Sequence, residues 1–266
     1  MKLSFLRNVF LLPIFKRRES VGPIGGTYPV LHFPTAGLGI FYQLGVTRYL
    51  RENYIFPGDI QYSGISAGSY CALLCSIKAN VKDIDKVAYT FIDRTVELDD
   101  SDFWSGIQGN IRETLEETGL SHKVPKGLHI AVTQVVPKPK RLYISQFNDT
   151  ISAIEACIAS SHVPFLFGSL ATKYEETYVC DGGFAGKYDT PVDFNKIVDI
   201  ESDMFSENLK SGQAFMWNPE ICALLYQKGY SDSRRNADFF DQSLGLWGIR
   251  PKNTPTRTLR KLNLIS

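Results

Sequence analysis

The chain has 266 residues, 44% of them hydrophobic and 21% charged, a composition that supplies a large buried core and excludes disorder throughout. Lys plus Arg number 29 against 28 Asp plus Glu, so a net charge of +1 gives no basis for nucleic-acid binding or a strong steering field. Cys71, Cys75, Cys157, Cys180 and Cys222 are odd in number and scattered, which excludes a disulfide framework and points to a reducing compartment.

Residues 1–27 open with MKLSFLRNVFLLPIFKRR, which holds five basic residues and no acid. The apolar run from Val9 to Phe15 is short, is broken by Pro13 and leads into Lys-Arg-Arg instead of a small-residue cleavage site, which argues against secretion. It is also too short to span a bilayer. A basic, Phe- and Leu-rich segment fits either a helix lying on a membrane surface or a packed element with solvated charges.

YPVLHF, 28–33, alternates apolar and polar residues and reads as a strand running into the loop Thr35-Ala36-Gly37-Leu38-Gly39. Leu38, Phe41, Tyr42, Gly45, Val46 and Tyr49 then form a helical stripe suited to packing on a sheet, ended by Pro57 and Gly58. DIQYS, 59–63, predicts a second strand that delivers the chain to GISAGSY. The Ala-, Leu- and Cys-rich run from Ser66 predicts a buried helix. Cys71 and Cys75 share a face of that helix, with no His or second Cys pair to complete a metal set, so they are expected as core thiols.

Ile84, Val87, Ala88, Phe91 and Ile92 predict a helix over 81–96, followed by an acidic loop, and a further helix is expected over 109–119. LHIAVTQVV and RLYISQF, 128–136 and 141–147, form a strand pair joined by PKPK. Asn148 or Asp149 caps a helix that stops before Pro164. ETYVCDGGF, 176–184, is expected as the last strand, entering an Asp-Gly-Gly turn. Strands alternating with helices predict an α/β fold, a three-layer α/β/α sandwich with a mainly parallel central sheet. Residues 28–200 form the main domain in this reading. Residues 201–266 are a helical extension with a basic tail.

GISAG matches G-x-S-x-G, the turn in which a serine sits at a sharp strand-to-helix elbow. The pattern alone arises by chance in roughly one chain in ten of this length. Its setting is more informative, because a strand precedes it and a buried helix follows. A serine hydroxyl needs a base to accept its proton, and the usual histidine is poorly placed: the four are His32, His122, His129 and His162, and none lies in the last 104 residues. A triad ending in a late histidine is thereby excluded. Asp181 is the remaining candidate, a carboxylate between an apolar strand and two glycines, and the alternative is a plain β-turn in which Asp bonds its own backbone. As a base it would have to be desolvated and within reach of the serine oxygen. Backbone N–H groups of TAGLG and of Ala67 are the natural donors to a developing oxyanion.

Together TAGLGIFYQLGVTRYLRE, GISAG and DGGF, the last two placing Ser66 and Asp181 115 residues apart, resemble the patatin-like phospholipase family, and within it the branch of adipose triglyceride lipase. LHIAVTQV, LYISQFND and IEACIASSHVPFLFG resemble that branch's connecting segments. The resemblance covers about residues 28–193. It implies a serine lipid acyl hydrolase of phospholipase or triglyceride lipase type, with a Ser66-Asp181 dyad and an acyl-enzyme. The oxyanion donors would be Ala36, Gly37 and Leu38 with Ala67, and the motif glycines Gly64, Gly68, Gly182 and Gly183. It implies neither metal nor cofactor, a phospholipid or acylglycerol substrate, a membrane or lipid-droplet surface as partner, and an intracellular location. Transfer of the acyl group to another alcohol and a non-catalytic lipid-binding module are the alternatives. One departure stands out: where the family's loop is glycine-rich with a basic residue, this chain has Thr35, Ala36 and Gly39. Thr and Ala do not take positive φ cheaply, and a lost oxyanion donor costs about 3 kcal/mol.

Overall fold

The computed structural model describes residues 29–96, 103–166, 168–184, 195–205 and 218–252. The N-terminal 28 residues, the acidic loop before residue 103 and the basic tail past 252 lie outside them. The order is β1 Pro29–Phe33, a 3-10 turn Gly37–Gly39, α1 Ile40–Asn53, β2 Tyr54–Ile55, β3 Gln61–Ile65, α2 Gly68–Ser76, α3 Val81–Val96 and α4 Phe103–Glu117. β4 Leu128–Gln134, β5 Lys140–Ile144, α5 Thr150–Ser160, β6 Thr172–Tyr174, β7 Thr177–Asp181 and β8 Asn195–Asp199 follow. Last come α6 Pro219–Arg235, α7 Ala237–Gly245 and β9 Arg250–Pro251.

The fold is α/β, built, among the described residues, on a mainly parallel seven-stranded sheet in the order β6-β7-β4-β3-β1-β8, with β5 also on β4. β1, β3, β4 and β8 run parallel, with Phe33 opposite Gly64 and Ile65 opposite Ala131. Being central, β1 buries Val30, Leu31, His32 and Phe33 alike; its apolar-polar alternation does not mark a solvent face, because helices cover a parallel sheet on both sides. β7 is not the last strand, since β8 returns to pair with β1. β2 and β9 make a separate two-stranded pair that the sequence patterns did not announce.

Residues 40–47 of α1 are all buried, not a single stripe, because α6, α3 and α2 all pack against it. α1 and α6 meet where a Cβ on Gly45 would stand 2.1 Å from the Tyr226 carbonyl oxygen and one on Gly229 the same 2.1 Å from that of Tyr42. Only glycine allows that crossing. α3 matches the expected 81–96 and buries Ile84, Val87, Ala88, Phe91 and Ile92. α4 begins at Phe103, six residues before the expected start. α5 is capped by Asp149, whose carboxylate accepts from the Ser152 N–H in a reciprocal capping box. All five cysteines are buried.

Candidate active site

β4 explains how two distant parts of the chain meet. It pairs with β5 over Ile130–Gln134, with β3 over Leu128–Ala131 and with β7 over Val132–Gln134. A strand has two edges, and both β3 and β7 overlap the stretch taken by β5, so they share the opposite edge. β3 runs parallel to β4 and β7 antiparallel, and their C-terminal ends therefore approach head to head. Ile65 lies opposite Ala131 and Asp181 opposite Val132, adjacent positions on β4. The residues immediately beyond and at those ends are Ser66 and Asp181.

Ser66 has φ +54°, a strained conformation for any residue but glycine, and characteristic of a nucleophile elbow. The turn is held at both the N–H and the carbonyl of Ser66. The Ser66 N–H donates to Ser160 Oγ at 2.8 Å, and Ser160 Oγ donates to the Ala131 carbonyl at 2.6 Å. Ser69 closes it by donating both its N–H, at 2.9 Å, and its hydroxyl, at 2.6 Å, to the Ser66 carbonyl. Gly64 and Gly68 are needed because their missing Cβ atoms would stand 2.3 Å from Ser69 Cα and 2.4 Å from the Phe33 and Pro34 carbonyls. The N-terminus of α2 thus rests directly on the end of β1.

The Ser66 hydroxyl donates to Asp181 Oδ2 in a short hydrogen bond. Oδ1 accepts the Gly183 N–H at 2.7 Å, so both carboxylate oxygens are oriented. Both residues are 4% exposed. Burial raises the Asp181 pKa above the ordinary carboxylate value, against the opposing pull of the Ser66 hydroxyl, the Gly183 N–H and the Arg141 guanidinium. Its main chain is fixed as well: its N–H donates to the His162 carbonyl at 2.8 Å, that of Gly182 to the Ser160 carbonyl at 2.9 Å, and Thr133 Oγ1 to the Asp181 carbonyl at 2.7 Å. Gly182 approaches the Ala131 carbonyl so closely that a Cβ would stand at 2.2 Å.

Ala36, Gly37 and Leu38 lie at and in the 3-10 turn after β1, at the same end of the sheet as the elbow, since Phe33 and Gly64 are paired. The loop also reaches the Asp-Gly-Gly turn: a Cβ on Gly183 would stand 2.9 Å from Thr35 Oγ1 and 3.0 Å from Asp181 Oδ1. Within this loop the positive φ falls on Gly37, at +53°, whereas Ala36 has φ −132° and Gly39 φ −61°. Replacement of glycines by Thr35 and Ala36 therefore puts neither residue in the left-handed region. A side chain at Gly39 would meet Ser202 Cβ at 2.5 Å, so the segment after β8 fills the space that a side chain there would need.

The structure brings together Ser66 and Asp181, both named from the sequence, and adds Ser160, Ser69, Thr133 and Arg141, which nothing in the sequence singles out. Buried Arg141, on β5, donates Nε to the Gly182 carbonyl at 3.1 Å. Each is a common residue in an ordinary helix or strand, and only the topology brings it to the turn. His162 contributes its carbonyl to Asp181, while its ring bonds Ser169 Oγ at 3.0 Å and burial lowers its pKa. His129 bonds Gln61 at 2.7 Å and is pushed down to about 4 by burial. Among the described residues, no group of three or more His, Cys, Asp or Glu could hold a metal, and no helix is long and apolar enough to cross a membrane.

No curated protein matches the chain. Among solved structures, VipD from Legionella pneumophila aligns at 14% identity and a TM-score of 0.36, over 60% of this chain and 47% of its own, so the chain spans less than half of VipD. A family model described as patatin-like phospholipase matches residues 36–194. That span is more than half of the chain and takes in the glycine loop, the elbow and the Asp-Gly-Gly turn: the chain belongs to the patatin-like phospholipase family.

Proposed function

We propose that the chain is a lipid acyl hydrolase in which Ser66 is the nucleophile and Asp181 its base. The observation that carries this reading is the Ser66 hydroxyl donating to a buried carboxylate from a strained elbow. Ser66 Oγ attacks the ester carbonyl carbon while its proton passes to Asp181 Oδ2. Backbone N–H groups of Ala36, Gly37 and Leu38, with that of Ala67 at the positive end of α2, receive the oxyanion. Collapse expels the alcohol, which takes the proton back from Asp181. Water then attacks the acyl-enzyme with Asp181 again as base, releasing the fatty acid.

The raised Asp181 pKa suits this cycle, because a carboxylate at its ordinary value is a weak base and desolvation makes it a better one. The glycine loop supports it too, since its departures from the family pattern leave the positive-φ position to a glycine. The resemblance of the connectors to those of the adipose triglyceride lipase branch favours an acylglycerol or phospholipid ester as substrate.

Labelling with a fluorophosphonate tests the reading. Wild-type protein should form an adduct on Ser66 and hydrolyse a soluble short-chain ester, and Ser66→Ala should do neither. Folded wild-type protein with no adduct and no ester cleavage would sink the proposal.

A further inference from the structure

Three apolar side chains stand in water beside the dyad: Phe165 is 72% exposed, Phe184 63% and Leu170 43%. They belong to two segments tied to each other through Asp181. Phe184 donates its N–H to the Asp181 carbonyl at 3.1 Å, and Asp181 donates its own to the carbonyl of His162, three residues before Phe165. Leu170 adjoins Ser169, whose hydroxyl bonds the His162 ring. Among the described residues, other large exposed apolar side chains, such as Ile55, Tyr89, Leu224 and Leu246, are dispersed over β2, α3, α6 and the end of α7. Single exposed residues of that kind are normal, whereas a cluster is informative.

The exposure of Phe165 is built in. Its φ is +66°, which a bulky residue adopts only under constraint. The turn is clasped by its N–H to the Ser169 carbonyl at 3.0 Å and by Leu166 N–H to the Val163 carbonyl at 3.2 Å. Residues 163–171, VPFLFGSLA, contain no charged side chain. An exposed apolar segment that carries no charge over residues 163–171 and is tied through Asp181 to Ser66 suits a neutral lipid interface, into which aromatic and aliphatic side chains partition without electrostatic help.

We infer that Phe165, Leu170 and Phe184 form a docking rim that inserts into the surface of a neutral phospholipid bilayer and so brings the ester to Ser66. The inference rests on the hydrolase reading for what the rim delivers. Binding itself can be measured without turnover.

The test uses full-length Ser66→Ala protein with and without Phe165→Ser and Phe184→Ser, and phosphatidylcholine vesicles separated by flotation. The rim substitutions should lower partitioning at least about tenfold, as expected when two inserted aromatics are lost, with little change between low and high salt. In the Ser66 background the same substitutions should leave hydrolysis of a soluble short-chain ester within about twofold while that of vesicle lipid falls about tenfold. Folding is monitored by thermal melting, and a second probe avoids substituting the rim heavily. Because the native thiols are buried, an environment-sensitive dye on Phe165→Cys should shift to the blue with vesicles. A dye on Leu246→Cys should not, since Leu246 lies near β9 at the far end of α1. Unchanged partitioning of the double variant, binding that requires anionic lipid, or a dimer that Phe165→Ser disperses would each overturn the rim. Loss of soluble-ester hydrolysis in wild type with vesicle binding intact would instead refute the hydrolase reading alone.

Discussion

The proposed reaction sets two opposed demands on Asp181, to sit buried and to carry a charge. Burial raises its pKa in the folded chain above the ordinary 3.8, so the folded state holds the proton more tightly than the unfolded one. Stability from this group is therefore present at low pH and falls as the pH rises from about 3.8 through the folded value. Above that value the ionised carboxylate costs stability and is the form the proposed reaction needs as its base. Asp181→Asn removes the cost and keeps a partner for the Ser66 hydroxyl, so it should abolish ester hydrolysis while unfolding within about 1 kcal/mol of wild type at neutral pH. The wild-type rate should fall on the acid side through an apparent pKa above 3.8. Arg141 opposes the rise, and Arg141→Gln should move that acid limb to higher pH. A limb that stays in place while the rate drops would assign Arg141 to packing alone.

At the scale of elements, the strained main chain of Ser66 is held by hydrogen bonds with two neighbours, Ser160 and Ser69, and Ser160 is the more telling of them. Its hydroxyl accepts the Ser66 N–H and donates to β4, so it ties the elbow, α5 and the sheet together. Ser160→Ala leaves a buried N–H and a buried carbonyl without that partner, at about 1–3 kcal/mol. Soluble-ester hydrolysis should fall more than tenfold with KM nearly unchanged, because the nucleophile is misaimed and not the substrate. Ser160→Thr keeps the hydroxyl and should recover part of the rate. A KM rise with unchanged kcat would count against this role. The elements were largely legible in sequence, because α3 has a clean helical period and GISAG has a strand before it and an apolar helix after it. What was not legible is what depends on pairing. The shared edge of β4 that makes β3 and β7 converge has no local signal, and β2, β8 and β9 are short strands whose partners lie far away in the chain. Ser160 and Arg141 were invisible for the same reason.

Across the whole molecule, the C-terminal helices are coupled to the site through α1. That helix begins at the glycine loop, and its buried Gln43 donates to the Pro34 carbonyl at 3.1 Å and the Ile200 carbonyl at 2.8 Å. The segment before the loop and the segment after β8 are thus pinned to one side chain. α6 packs on the other side of α1 through the Gly45 and Gly229 contact, where each glycine faces backbone that has no rotamer to yield. A methyl at Gly229 must push the helices apart, at about 2–3 kcal/mol for overpacking, which lowers the melting temperature by roughly 4–12 °C in a chain of this size. Gly229→Ala should also lower soluble-ester hydrolysis, since displacing α1 shifts the turn at Gly37 that carries the proposed oxyanion donors. Leu246→Ala, at an exposed residue beyond α7, should change neither. If Gly229→Ala melts early yet hydrolyses ester at the wild-type rate well below its transition, the helical crossing supports the fold without setting the glycine loop.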